Sequence, residues 1–223
     1  MTGRVLAFGD IHGCDVALDT MLDYVEPTID DTVICLGDVI DRGPRSDRVI
    51  ERLMELRSQS SFVMISGNHE ETLEYVLETG NSLEDWMRGF GGKDTVRAYD
   101  CSIDELPADH LEFLFSAVDY HETETEIFAH ASPHPRVPMS KQRVMNLRWN
   151  RYDVALAPHV SGKRIICGHT SQRSARPALS PGWVCIDTWV YGKGSLTCLD
   201  VGANQFCQAK QSGELTEWEP LDG

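Results

Sequence analysis

Val5-Leu6-Ala7-Phe8-Gly9-Asp10-Ile11-His12-Gly13 is an apolar run that stops at a glycine and at once delivers a carboxylate and an imidazole. Such a run, bounded by Gly and too short for a core helix, reads as a strand over 4–9. The same order recurs twice. A run over 32–37 leads into Gly37-Asp38-Val39-Ile40-Asp41-Arg42-Gly43, and one over 62–66 leads into Gly67-Asn68-His69-Glu70. Two later runs, 125–129 and 163–167, end in His130-Ala131 and Gly168-His169-Thr170. Ligands of open α/β sheets bind beyond the carboxyl ends of parallel strands, so all five strand ends are expected to converge on one edge.

Further apolar runs at 183–187 and 195–199 also read as strands. Helical spacing of apolar residues predicts helices over 14–25, 46–57 and, after Pro107, 107–117. The first three strands alternate with helices and should form a parallel unit, whereas the last three lack helices between them and should pair antiparallel as a second sheet. Gly91-Gly92 interrupts a helical stretch, 83–99, read as part of a small cap. The fold class expected is α/β, as one domain over residues 1–223, a length that suits a single buried core.

Lys and Arg total 20 against 35 Asp and Glu, a net charge of −15. A surface so acidic repels nucleic acid and anionic membranes, so a bound anion must find its positive potential locally. The seven cysteines (14, 35, 101, 167, 185, 198, 207) include no CxxC pair, and Cys35, Cys167 and Cys185 fall in strand-like runs, the pattern of reduced core thiols. Without a signal-like leader or an apolar stretch of ~18 residues, the expected location is the cytoplasm. A monomer is expected.

The polar residues form a ligand set. Asp10 and His12, two apart, project to one side of an extended strand end and can hold one cation. Asp38 can bridge it to a second, completed by Asn68, His130 and His169. Oxygen and nitrogen donors without thiolate suit manganese, iron or zinc and do not resolve among them; manganese is the ion expected to serve in vitro.

In this order, GDIHG, GDVIDRG, GNHE, HA and GHT resemble the signature of the phosphoprotein phosphatase (PPP) family of calcineurin-like metallophosphoesterases, especially its compact bacterial and phage serine/threonine phosphatases. The likeness runs from about residue 4 to 200 and includes Ile186-Asp187-Thr188. It implies a β-sandwich of mixed sheets flanked by helices, with a helical cap around 72–120. It also implies phosphomonoester hydrolysis by direct attack of a hydroxide activated between two divalent cations. The Asp41-Arg42-Gly43 portion separates this branch from nuclease-like relatives. The resemblance makes His69 the general acid, Asp41 its orienting partner and Arg42 a phosphate clamp, jointly with Asn68. A second arginine beside a Trp is also implied; Arg151, after Trp149, is preferred, with Arg148 a rival. Two departures stand out. Ser132 replaces a common Gly, and Trp189 replaces a small residue.

Blander readings compete. A lone Asp10 or Asp38 after a strand is often a cap, Asn68 a turn residue and Arg42 a solvated charge; only their joint occurrence overrides this. Glu70 reads as support for a helix start. His110, His121, His134 and His159 lack a strand-end setting and read as surface or structural residues. Cys14 reads as a buried thiol, and Trp149, Trp183 and Trp189 as core aromatics. The function expected is phosphoserine/phosphothreonine hydrolysis in proteins, with phosphotyrosine a further substrate; the alternative is diadenosine tetraphosphate hydrolysis. A non-catalytic scaffold is disfavoured by the presence of His69, Asp41 and Arg42 together.

Overall fold

The computed structural model describes residues 3–222. Two mixed sheets pack face to face. The first has the order β11-β10-β9-β1-β2-β3 and the second β4-β5-β6-β8-β7. Strands β1 (Val5–Phe8), β2 (Thr32–Cys35) and β3 (Ser61–Met64) run parallel, connected by helices α1 (Asp15–Val25) and α2 (Ser46–Gln59). The second sheet is built from β4 (Tyr120–Glu122), β5 (Glu126–Ala129), β6 (Arg164–Cys167), β7 (Ala178–Ser180) and β8 (Trp183–Cys185). Strands β9 (Leu196–Asp200), β10 (Gln205–Ala209) and β11 (Leu215–Pro220) complete the first sheet.

The period of two along each strand divides the core. Ala7 and Ile34 face Phe128, Ile166 and Val184 between the sheets, while Leu6, Phe8, Val33 and Cys35 turn outward against α1 and α2. On the far face of the second sheet, Ile127, Ala129 and Ile165 pack on Met139, Leu147 and Tyr152, with Leu147 supplied by α7 (Val144–Trp149). The sequence reading of one all-apolar run per strand thus resolves into two buried faces.

The expected antiparallel pairing of the last three strands is overturned. β6 and β8 are parallel, and β9 leaves for the first sheet to pair antiparallel with β1. The inference from missing helices failed because the 168–182 connection crosses over without one and spends β7 as an antiparallel edge strand. β4, β7, β10 and β11 lie outside the expected strands; β4 and β7 have three residues each, β11 is largely half-exposed, and buried β10 sets glutamines on either side of Phe206-Cys207, which breaks its apolar run.

The cap consists of α3 (Asn68–Thr79), α4 (Leu83–Asp85) running into a π-helical turn at Trp86–Phe90, α5 (Gly92–Tyr99) and α6 (Ala108–Phe115). The break in the expected 83–99 helix falls at Gly91, which adopts φ 92°. Gly92 lies against the Trp86 ring, where a Cβ would collide with it.

Candidate metal and phosphate site

The loops after β1 and β2 are tied together, since the backbone N–H groups of Ile11 and His12 both donate to the Asp38 carbonyl at 3.1 and 2.8 Å. His12, Asp38, Asp41, Arg42 and His169 all sit in the left-handed region at φ 47–69°, a conformation that costs non-glycine residues of order 1–3 kcal/mol each. The surroundings enforce it. The Glu70 carboxylate accepts the N–H groups of Gly67, Asp38 and Val39, each at 2.9 Å. It therefore caps α3 and also fixes the Asp38 turn. Side chains at Gly67 and Gly168 would run into the carboxylates of Asp38 and Asp10, respectively.

Asp38 is the hub. Its carboxylate lies 3.6 Å from His12 Nε2, 3.8 Å from His69 Nε2 and 3.4 Å from His130 Nε2, and its Oδ1 accepts the His69 N–H at 3.1 Å. Two groups could hold an ion: Asp38 with His12 and His69, and Asp38 with His130 and His169. Asn68 Oδ1 joins the second, 3.1 Å from His130 Nε2 and 2.8 Å from His169 Nδ1. Each of the three expected imidazole ligands donates its other nitrogen to a backbone carbonyl. His12 Nδ1 uses Ile40, His130 Nδ1 uses Leu36 and His169 Nε2 uses Trp149, at 2.9, 2.8 and 3.1 Å. These bonds fix the tautomer and turn one ring nitrogen of each toward the cluster.

Asp10 differs from the geometry expected of it. The chain turns at His12, so Asp10 and His12 do not share an extended strand, and Asp10 instead accepts the His169 N–H at 3.1 Å. Burial raises its pKa well above the usual carboxylate range, helped by Asp187 and Asp38. Asp187 received no role from the sequence; it is buried here, held by Ser171 at 2.7 Å. Burial likewise lowers His12 and brings His169 to about 4, keeping both imidazoles neutral. For Asp38 burial acts upward, but His130, His69, His12 and His169 outweigh it and hold the carboxylate below its ordinary value.

His69 Nδ1 donates to Asp41 Oδ2 at 2.7 Å, with both side chains fully buried. Asp41 also accepts Trp86 Nε1 at 3.0 Å and Thr95 Oγ1 at 2.7 Å. The sequence named the Asp41–His69 pair but not the cap residues that hold it, which lie 45 and 54 positions downstream. Burial pulls the His69 pKa down, but Asp38 and the Asp41 hydrogen bond prevail and raise it. Its Nε2 is buried and without a hydrogen-bond partner.

A cleft of about 410 Å³ opens on this cluster, lined by Asp38, Asn68, His169, Arg42, Arg151, Arg173 and Tyr191 among others. Arg42 Nη1 lies 3.0 Å from His12 Nε2, and its guanidinium sits over the Tyr191 ring at 4.7 Å. Arg151 borders the cleft, whereas Arg148 is occupied by Glu71 at 3.1 Å and Asp119 at 2.7 Å. Arg173 and Tyr191 were missed, as neither belongs to a recognisable motif. Ser132 is buried, and its Oγ has no hydrogen-bond partner. His110 bonds Tyr99 and His159 bonds Ser161 and Val137, both away from the cleft.

The chain is similar to several known proteins. A segment of 63 residues is 44% identical to a symmetrical bis(5'-nucleosyl)-tetraphosphatase of Paracidovorax citrulli, covering 28% of this chain and 22% of that protein. Over 133 residues the chain is 31% identical to serine/threonine-protein phosphatase 2 of Escherichia coli, covering 52% and 59%. These matches span less than two thirds of either relative. Among solved structures, one described as a putative diadenosine tetraphosphatase superimposes with a TM-score of 0.67 at 21% identity, covering 89% of both chains. A cold-active protein-tyrosine phosphatase of a Shewanella species gives 0.67 at 16% identity, covering 98% of this chain and 80% of that one. Residues 3–173 match the profile of the calcineurin-like phosphoesterases, and the chain belongs to that family.

Proposed function

We propose that the chain is a PPP-type phosphomonoesterase that hydrolyses phosphoserine and phosphothreonine in proteins, with phosphotyrosine a further substrate. Asp10, His12, Asp38, Asn68, His130 and His169 are assigned to two divalent cations. One observation carries the reading: three imidazoles each give one ring nitrogen to a backbone carbonyl and present the other to a buried carboxylate or amide. Metal-binding histidines are held in this way. Manganese is the ion expected in vitro, with iron and zinc compatible with the same donors. When bound, such cations supply Lewis acidity, acidifying water and neutralising phosphoryl charge.

The chain's own side chains account for the rest. Arg42 and Arg151 at the cleft can donate to the phosphoryl oxygens, and a guanidinium does so through two parallel hydrogen bonds. His69 is read as the acid and not as a ligand, because Asp41 accepts from its Nδ1 and favours the protonated ring. Its Nε2 proton then goes to the departing alkoxide oxygen. Trp86 and Thr95 also donate to Asp41 and hold its carboxylate in place, so that it orients the ring.

A second reading is diadenosine tetraphosphate hydrolysis, favoured by the names of two of the similar proteins. The manganese-loaded protein, assayed on a phosphothreonine peptide and on diadenosine tetraphosphate, separates the two. A kcat/KM at least about tenfold higher on the peptide supports the first reading. The reverse ratio replaces it with the second, and no turnover of either rejects both.

A further inference from the structure

The arginines of this acidic chain are not distributed evenly between paired and unpaired. Of fifteen, nine (4, 45, 48, 52, 88, 97, 148, 164 and 176) form ion pairs with a carboxylate. Of the six that form none among the described residues, Arg42, Arg151 and Arg173 line the metal-facing cleft. Arg136 and Arg151 line an adjoining hollow of about 510 Å³. In a chain of net charge −15, unpaired guanidiniums gathered at one place mark a site for more anionic charge than one phosphoryl group carries.

Arg173 is positioned, not loose. Its guanidinium lies 3.7 Å over the Trp189 ring, and Trp189 meets Tyr191 edge-on at 6.4 Å, the ring that carries Arg42. Two guanidiniums therefore rest on two touching aromatic rings along one wall. The backbone of Trp189 is held at φ 62° by its N–H bond to Asp187 Oδ1, 3.0 Å, and by its carbonyl, which accepts from Gly192 and Gly194. A bulky residue kept in a strained turn points to a purpose beyond packing. An aromatic face limits the motion of the guanidinium while leaving its N–H edge free to donate.

We propose that Arg173, on its Trp189 platform, is a specificity-determining clamp for a second phosphoryl group of the substrate, next to the one held by Arg42 and Arg151. This rests on the phosphoesterase reading above and narrows its substrate class to esters bearing more than one phosphate. The second phosphate can belong to a nucleoside polyphosphate or to a multiply phosphorylated peptide.

The test compares wild type, Arg173→Ala and Arg173→Lys, all manganese-loaded, on p-nitrophenyl phosphate, diadenosine tetraphosphate, and one peptide carrying either one or two phosphothreonines. In Arg173→Ala, kcat/KM on a two-phosphate substrate relative to p-nitrophenyl phosphate falls about ten- to a hundredfold, the range for one charge-assisted contact, and Arg173→Lys recovers part of it. A fall confined to the dinucleotide identifies a nucleotide source, and one confined to the doubly phosphorylated peptide a peptide source. Ratios within twofold of wild type on both overturn the proposal. Calorimetric titration with tripolyphosphate reads the same contact without turnover, and equal affinity of wild type and Arg173→Ala also overturns it. Absence of p-nitrophenyl phosphate turnover in wild type counts instead against the phosphoesterase reading.

Discussion

Strands β1 and β2 carry buried carboxylates at both ends, and the two ends treat them in opposite ways. At the amino ends, Asp31 is 3% exposed and accepts from the Arg4 backbone N–H at 2.7 Å, its guanidinium at 2.7 Å, and Thr28 N at 2.9 Å. Burial acts to raise the Asp31 pKa, but these bonds prevail and hold it below the usual range. At the carboxyl ends, Asp10 is equally buried and accepts only a backbone N–H from His169, with Asp187 and Asp38 as neighbours. One end is neutralised by the chain's own arginine and serves stability. The other crowds Asp10 against Asp38 and Asp187 in the interior, where ionised carboxylates persist only when paired or coordinated to metal. That asymmetry is the physical case for cations at the Asp10 end.

The comparison can be broken most forcefully at its hub. Asp38→Ala removes the carboxylate common to both candidate ion groups, and turnover of p-nitrophenyl phosphate should fall by more than about 10³-fold together with bound metal. Retained metal would mean that Asp38 does not bridge the groups. His69→Asn should lower kcat on alkyl phosphates by about 10²–10³-fold while leaving metal content intact. On p-nitrophenyl phosphate, whose leaving group needs no proton, the loss should be much smaller; equal losses on both would remove His69 from the acid role.

Stability of the metal-free protein sharpens the contrast between the ends. Asp31→Asn should cost about 1.5–3 kcal/mol in urea unfolding, the range for a hydrogen bond to a charged group. Asp10→Asn should be neutral or stabilising. Comparable costs at the two positions would erase the asymmetry.

Acid titration separates them by sign. The folded pKa of Asp31 is depressed, so its contribution is full above the unfolded value of ~3.9 and is lost as pH falls through that value toward the folded one. Asp10, raised in the folded state, destabilises at neutral pH, and the penalty shrinks as pH falls from its folded pKa toward the unfolded value of ~3.9. Unfolding midpoints against pH should therefore show a shallower acid limb in Asp31→Asn; an unchanged limb would mean that the Arg4–Asp31 clasp contributes little. The smallest effect expected is at Thr95→Ala, which removes one of three donors to Asp41 at a cost of about 1 kcal/mol and slows turnover a few-fold. Activity equal to wild type would make Thr95 incidental.

Strand ends and their polar motifs were legible because each lies within a few residues of an apolar run, as in Phe8-Gly9-Asp10 and Cys35-Leu36-Gly37-Asp38. What pins them was not. Trp86 and Thr95 reach Asp41 from a cap interrupted by a π-helical turn, and no local spacing encodes a contact between positions 41 and 95. The choice between Arg148 and Arg151 was likewise closed to sequence, since the partners of Arg148, Glu71 and Asp119, come from a helix and a loop far along the chain. The wrong pairing of β6, β8 and β9 has a similar source. A helix-free connection was read as antiparallel pairing, although 168–182 is long enough to cross over, and β10, interrupted by glutamines, and half-exposed β11, which extend the sheet beyond β9, gave no apolar run.

The central claim is that the Asp10–Asp38 end is completed by two divalent cations on which turnover depends. Titrating metal-free protein with manganese, while following metal per chain and p-nitrophenyl phosphate hydrolysis in the same samples, tests it most directly. Two ions per chain should bind, with hydrolysis appearing as the second is taken up. Full hydrolysis without added metal, or saturation at a single ion, would contradict it.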